Sequence, residues 1–462
     1  MATLLFDPEL IRRYDCHGPR YTSYPTAVQF HTGFDEAAYR QAARESDGND
    51  ARRPISLYVH IPFCASPCFY CACNRIITRS TDKAQAYLAR LHREIEMQAE
   101  LFSAARAVRQ LHFGGGTPTF LTQSQLAALL AQLGQRFSLT DCADREYSIE
   151  IDPRTVTRES IRFLAQLGFN RVSFGVQDLD PAVQLAVNRI QSIEQTLGVI
   201  DAARSAGIGS ISVDLIYGLP KQTRAGFART LQSVLAARPD RLAVYAYAHL
   251  PKVFKAQRRL RAQDLPSSEA RLELLGLTIE TLTGAGYEYV GMDHFALPDD
   301  ELVLAKRHRT LHRNFQGYAT RAHCDLVGLG VSAIGSIGAT YAQNFKSLPD
   351  YSAAVDQRRL PIQRGIKLTR DDIVRRAVIQ ELMCHEHVDF AQMSRELGID
   401  FERYFEAELG KLRLLARDGL VELTAGAVSV TGAGKLLMRN LAMTFDAHLQ
   451  GQATAPVYSR AI

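Results

Sequence analysis

The sequence predicts an α/β chain in which helices cover a parallel sheet, followed by a smaller, mainly helical region. Two observations carry this prediction. Between about residues 55 and 250, short β-branched or aromatic runs alternate with longer helical patterns; after about residue 365 the texture turns helical. Six strands are expected: SLYVHIP from Ser56, AVRQLHF from Ala107, EYSIEID from Glu146, RVSFGVQ from Arg171, ISVDLIYG from Ile211 and RLAVYAYAHL from Arg241. Helical stretches lie between them at 83–101, 123–133, 192–206 and 225–237. In the last of these, Ala225, Leu231, Val234 and Leu235 recur at roughly helical spacing, as on an outer helix packed against a sheet. The unit count fits a barrel, whole or partial. A doubly wound open sheet shows the same alternation, so the pattern leaves closure open.

The C-terminal stretch predicts helices at 370–384, 390–397 and 401–418. LVELTAGAVSV follows as two short strands around a Gly-containing turn, an order that resembles a winged-helix unit. Without a basic recognition face, a lid over an active site is a plainer reading than DNA binding. A chain of 462 residues exceeds what one core usually serves, so a large domain plus at least one smaller piece is expected. With 46% hydrophobic and 22% charged residues, disordered and fibrous classes are excluded. No run approaches the roughly 20 apolar residues of a membrane span, and the N-terminus has no signal-peptide pattern; a cytoplasmic protein with no membrane partner is expected. A net charge of +5 without a dense Lys/Arg block argues against a nucleic-acid partner.

Four of the eight cysteines, Cys64, Cys68, Cys71 and Cys73, lie within ten residues, whereas Cys16, Cys142, Cys324 and Cys384 are scattered. That distribution is wrong for a disulfide framework and right for metal or redox chemistry on one loop. The segment YVHIPFCASPCFYCACNR begins as a strand and breaks at Pro62 into CxxxCxxC. A four-iron cluster normally takes four thiolates, so Cys64, Cys68 and Cys71 alone would leave one iron for an exchangeable ligand. Cys73 poses the question of a fourth ligand. Zinc sites usually pair two separated CxxC units, and no second unit is present; dithiol exchange needs fewer cysteines.

The polar residues at predicted strand ends complete the candidate site. In HFGGGTPTF, Gly114, Gly115 and Gly116 would let backbone approach a ligand closely, although three glycines alone are more often a tight turn. Glu150 and Asp152 end the third strand, Gln177 and Asp178 the fourth, and Asp214 lies within the fifth. Active sites of βα barrels gather at such ends. Asp152 and Asp178 read as caps of the following turn; Glu150, Gln177 and Asp214 read as ligand contacts.

CxxxCxxC after the first strand, with Tyr70 before the last cysteine, resembles the radical S-adenosylmethionine (SAM) superfamily. PRYTSYPTA at 19–27, together with YVHIPFC, CACNR, FGGGTPT and LHRNFQGY, is similar to the family of oxygen-independent coproporphyrinogen III oxidases from about residue 10 to about 450. The resemblance implies a partial (β/α)6 radical SAM barrel with an N-terminal extension and a mainly helical, winged-helix-like C-terminal domain. The expected divisions are 1–50, a segment lining or covering the active site; 51–300, the barrel; 301–365, a connecting segment contributing to the SAM and substrate site; and 366–462, the helical domain.

The resemblance further implies a [4Fe-4S] cluster on Cys64, Cys68 and Cys71, with Cys73 as a further catalytic cysteine, and two SAM molecules. Tyr58, Gly115, Glu150 and Ile334 would touch the SAM on the cluster. Tyr70, Gly116, Thr117, Gln177, Arg189, Asp214 and Ala248 would touch the second. Tyr70 stands where a relative carries phenylalanine, adding a hydroxyl that needs a partner. The implied reaction is anaerobic oxidative decarboxylation of two propionates of coproporphyrinogen III to vinyl groups, giving protoporphyrinogen IX in heme biosynthesis, by a monomeric, oxygen-sensitive enzyme. It requires an electron donor and an electron acceptor that the sequence does not identify. Arg20 and Arg313 are candidates for clamping the substrate carboxylates, and Tyr21 and Tyr24 either line that cavity or pack in a core. Alternatives are the heme-chaperone branch of the superfamily, which typically lacks YTSYPTA and a counterpart of Cys73, another macrocycle-modifying radical SAM enzyme, and a DNA-binding regulator using the C-terminal unit.

Overall fold

The structure is a computed structural model that describes residues 3–48 and 53–449. The chain forms two compact units, each assembled from separated stretches. Of the described residues, one unit, the barrel unit, comprises 30–48, 53–274 and 323–367; the other, the helical unit, comprises 3–29, 275–322 and 368–449. The segments expected from sequence are contiguous, because local patterning reports where an element begins and ends and not which distant stretch it packs against.

In the barrel unit the six predicted strands are β1 (Ile55–Ile61), β2 (Ala107–Gly115), β3 (Glu146–Ile151), β4 (Arg171–Gln177), β5 (Ser210–Tyr217) and β6 (Arg241–Ala246). They pair in parallel in the order β6-β5-β4-β3-β2-β1, and the series continues with β7 (Asp325–Leu329) parallel to β1. An antiparallel run follows: β8 (Ile334–Ile337), β9 (Thr340–Asn344) and β10 (Ile362–Lys367). The strand order is linear, as in a partial barrel.

Five crossover helices connect the parallel strands: α1 (Thr81–Ala99), α2 (Gln123–Arg136), α3 (Arg158–Gln166), α4 (Ile193–Ser205) and α5 (Arg224–Ala236). Each starts at a Ser or Thr whose hydroxyl accepts a backbone N–H: Ser80, Thr122, Thr157, Ser192 and Thr223. Such a cap satisfies one of the donors a helix start leaves open, typically worth about 1 kcal/mol. Thr122 and Gln125 form a full capping box.

Period-2 alternation positions the site. Along β4, Val172, Phe174 and Val176 are buried, as are Ile211, Val213, Leu215 and Tyr217 along β5. The intervening Ser173, Gly175, Gln177 and Asp214 point to the opposite face, where they line a cavity. The apolar set packs outward and the polar set is delivered inward.

The same unit buries a second polar group in the seam between α1 and the β7–β9 edge. Glu94 accepts hydrogen bonds from Tyr351 Oη (2.6 Å), the Gly330 amide (2.8 Å) and Asn344 Nδ2 (2.7 Å), and it is wholly buried.

The helical unit contains helices Arg370–His385, Phe390–Leu397 and Glu406–Arg417 with a three-stranded sheet of His387–Asp389, Ala427–Val430 and Val421–Leu423. This is the winged-helix-like arrangement expected, with one strand more than the sequence pattern shows. The helix expected over 401–418 is divided, Phe401–Tyr404 preceding Glu406–Arg417. Phe390 stacks on Phe401 at 4.6 Å between ring centroids, and Phe405 meets Phe445 edge-on at 5.2 Å. Tyr21 and Tyr24 belong to this core, each 1% exposed. Tyr21 donates to Asp446 and Tyr24 Oη accepts the Ala447 amide, so packing, not cavity lining, accounts for both. Among the described residues, no helix is long and apolar enough to cross a membrane.

Candidate active site

The loop that follows β1 is closed at its base by a short parallel pair, Phe63–Cys64 with Ile76–Ile77, and all four clustered cysteines project from within it. Arg75 draws the loop together, donating to the carbonyls of Cys68 (3.1 Å) and Cys71 (3.0 Å). The loop forms one side of a cavity of about 420 Å³ lined by Cys64, Cys68, Cys71 and Cys73.

Of the residues expected to contact SAM, the same cavity gathers Tyr70, Gly115, Gly116, Thr117, Glu150, Gln177, Arg189 and Asp214. Tyr58, Ala248 and Ile334 are not among its lining residues. Tyr58 instead stacks on His112 (5.8 Å, 14°) and its hydroxyl lies 3.0 Å from His60 Nδ1. The Ala248 carbonyl accepts from Gln257, and Ile334 opens β8.

Gly115 and Gly116 explain the glycine run in terms of the chain itself. Gly115 has φ +116°, and a Cβ there would lie 2.7 Å from the His60 ring. A Cβ on Gly116 would lie 2.8 Å from the Phe63 carbonyl oxygen. Glycine is therefore required for the cysteine loop to lie against the end of β2, whose Gly116 amide donates to the Ile61 carbonyl at 2.8 Å.

Electrostatics divide the cavity into an acidic and a basic side. Burial opposes ionisation of Glu150, but His112 (3.2 Å) and the Gly115 amide (3.1 Å) outweigh it and hold the carboxyl below its usual range. Burial pushes Asp214 up to about 7, and the Glu150 charge adds to this; its hydrogen-bond partner is Ser173, at 3.2 Å. Opposite stands Arg189, buried, with Nη1 3.1 Å from Asp152 and 3.4 Å from Cys68 Sγ, and with a buried Nε that has no partner among the described residues. Burial above all pushes the Tyr70 hydroxyl well above its usual range, while the Arg189 charge pulls it down and Cys68 beside it adds to the rise. The Cys73 thiol is the foremost cause bringing Cys71 down to about 6, so a thiolate forms readily there.

Sequence reasoning treated Asp152 and Asp178 alike, and the structure separates them. Asp178 is a turn cap, accepting from the Asp180 amide (2.7 Å) and Thr230 (2.8 Å). Asp152 caps the turn at Arg154 but also lines the cavity and pairs with Arg189. His112 and Ser148 were missed; they face each other across β2 and β3, and His112 Nδ1 meets Ser148 Oγ at 2.5 Å. Strand alternation would have placed both beside Glu150. Gln177 sits at φ +68° after a register shift in the β4–β5 pair, a strained geometry that the sequence does not disclose.

The donor chemistry fits an iron–sulfur cluster. A cubane takes one thiolate per iron, so its ligands stand around a volume and do not converge on a point. Cys64, Cys68 and Cys71 line one cavity, and among the described residues no group of three or more His, Cys, Asp or Glu forms a single-ion cage.

Residues 58–234 match the Radical SAM superfamily, and residues 368–437 match the HemN C-terminal domain. Fold and cysteine loop together thus define a radical SAM enzyme. The chain is 53% identical to the oxygen-independent coproporphyrinogen III oxidase of Pseudomonas aeruginosa over 97% of each chain. It is 48% identical to the Escherichia coli enzyme of the same name, over 99% of this chain and 98% of that one. The solved structure of coproporphyrinogen III oxidase from Escherichia coli, described as a radical SAM enzyme, superposes with a TM-score of 0.92 at 47% identity, covering 96% of this chain and all of the other. The chain belongs to the family of oxygen-independent coproporphyrinogen III oxidases.

Proposed function

We propose that this chain oxidatively decarboxylates two propionate side chains of coproporphyrinogen III to vinyl groups, giving protoporphyrinogen IX without oxygen, in the cytoplasm. The observation that carries the reading is the three-cysteine loop facing Glu150, Gln177, Arg189 and Asp214 across one cavity, in a chain similar to the named oxidases over nearly its full length. When bound, a [4Fe-4S] cluster with SAM supplies a 5′-deoxyadenosyl radical able to remove a hydrogen from an unactivated carbon.

Cys64, Cys68 and Cys71 would hold the cluster, while Arg75 fixes the loop that carries them. Glu150, kept ionised by His112, would attract the ammonium of the SAM on the cluster; Arg189 would attract the carboxylate of a second SAM. The Gly115 and Gly116 backbone would fix the reach between loop and strand. Gln177, Asp214, Tyr70 and Thr117 are proposed for a second SAM in the same cavity, and Cys73 stands ready beside Cys71 as a further thiol. An external donor and an external acceptor would pass the electrons. The test is anaerobic reconstitution followed by SAM, dithionite and coproporphyrinogen III, resolving products by liquid chromatography with mass detection. Protoporphyrinogen is the expected product; SAM cleavage with untouched substrate would overturn the reading.

A further inference from the structure

Within the helical unit, the hairpin His312–Asn314 and Gly317–Ala319 pairs Arg313 with Tyr318, and the guanidinium lies 4.8 Å from the centre of that ring. Arg313 is 3% exposed, and its buried Nη1 has no hydrogen-bond partner among the described residues. Its Nε donates to the Arg20 carbonyl at 3.4 Å, and among the described residues it makes no ion pair. A buried guanidinium offers five donors in a fork shaped for a carboxylate, and burying that charge unpaired is costly. The orphaned donor therefore marks unmet demand for an anion.

The neighbours of Arg313 reinforce that demand. Arg20, with its side chain one-third exposed, is held by Asp293 on the two-residue turn between strands Glu288–Gly291 and His294–Ala296. Met292 and Asp293 both have positive φ, 41° and 75°, and Tyr21, next to Arg20, has φ 46°. Positive φ at Met292 and Asp293 is what a two-residue hairpin turn requires, whereas Tyr21, beside Arg20, is a non-glycine residue held in the left-handed region outside such a turn, strain of the kind kept at ligand clamps. Burial and the Arg313 charge push His294 down to about 4, so its ring adds no charge of its own. Burial and the Arg20 charge bring Arg439 down to about 10. The region is cationic.

We propose that Arg313, with Arg20 shared between Asp293 and the ligand, forms a clamp for one propionate of the substrate macrocycle. This assignment rests on the proposed decarboxylase function, and a purely packing role for Arg313 against Tyr318 is its competitor. The experiment titrates the reconstituted full chain with coproporphyrin III, and in parallel with its tetramethyl ester in the same detergent-containing buffer, following porphyrin fluorescence. Retention of the iron–sulfur absorbance serves as the folding check.

Wild type should bind the acid more tightly than the ester. Arg313→Gln should weaken the acid about tenfold and leave the ester little changed. Arg313→Lys, which keeps charge but not the fork, should fall between. Arg20→Gln, at the partly exposed cation, should weaken the acid several-fold and decides the question if Arg313→Gln fails to fold. Wild-type acid affinity in both Gln variants, or equal weakening of acid and ester, overturns the clamp. If wild type converts coproporphyrinogen III and Arg313→Gln does so with unchanged KM, the clamp alone fails. A wild type that neither converts it nor prefers acid to ester removes the functional reading and the clamp together.

Discussion

Two regions of the barrel unit bury a carboxyl that burial pushes to about 7, Glu94 in the α1 seam and Asp214 on β5. Glu94 is closed: Tyr351, Asn344 and Gly330 supply three donors to its two oxygens. Asp214 is open, with one hydrogen bond, a neighbouring carboxylate and a cavity in front of it. The same displacement thus serves structure in one place and invites a ligand in the other. What marks a site is unsatisfied bonding capacity facing a volume, and a perturbed acid alone does not.

The contrast is broken most completely at the cavity. Cys64→Ala, Cys68→Ala or Cys71→Ala should abolish decarboxylation and reduce iron retained after reconstitution, while circular dichroism stays that of the folded protein; a variant with full iron content and activity would contradict the proposed ligand set. The seam should respond in stability. Glu94→Ala leaves three buried donors without an acceptor, at about 1–3 kcal/mol each, and should cost about 3 kcal/mol or more in urea denaturation, with Glu94→Gln recovering part. A loss below about 1 kcal/mol would remove the distinction between closed and open acids.

Asp214→Asn should weaken SAM binding about tenfold in equilibrium dialysis without loss of stability at pH 8. Its pH dependence sharpens the comparison. The folded chain keeps the Asp214 proton up to about 7 whereas the unfolded chain releases it near the model-peptide value of about 3.9, so the folded state binds more protons between these limits. The contribution of Asp214 to stability is therefore full below about pH 4 and lost as pH rises through 7. Thermal melts at pH 5 and pH 8 should show a smaller decline for Asp214→Asn than for wild type; equal declines would place the titration elsewhere. The smallest effect belongs to Ser173→Ala, which removes the hydrogen bond that favours the ionised Asp214 and should weaken SAM binding by about 1 kcal/mol or less, read by the same dialysis.

Much of this was legible in one dimension. The six parallel strands were readable because each is a short apolar run flanked by helical patterns, and the cysteine loop because ligand spacing within a loop is a local property. Glu150 and Gln177 were readable because they are polar residues at strand ends, and Asp214 because it is a charged residue inside an otherwise largely apolar strand. The roles of Asp152 and Asp178 were not separable, since both are aspartates one residue past a strand; Arg189, 37 residues away, distinguishes them by pairing with one. The seventh parallel strand, β7, was hidden in a segment read as a connector because its pairing partner, β1, lies some 270 residues earlier.

By itself the sequence determined the repeating βα order, the Ser and Thr helix starts, the cysteine spacing and the inward alternation of polar residues. Each depends on neighbours within a few positions, where bond geometry alone sets the outcome. Only the tertiary structure decided that Glu94 is saturated while Asp214 is open, that Arg189 joins Asp152 to Cys68, and that Arg313 is buried with a donor unused. Desolvation and hydrogen-bond satisfaction depend on groups brought together from distant parts of the chain, and no local pattern encodes them.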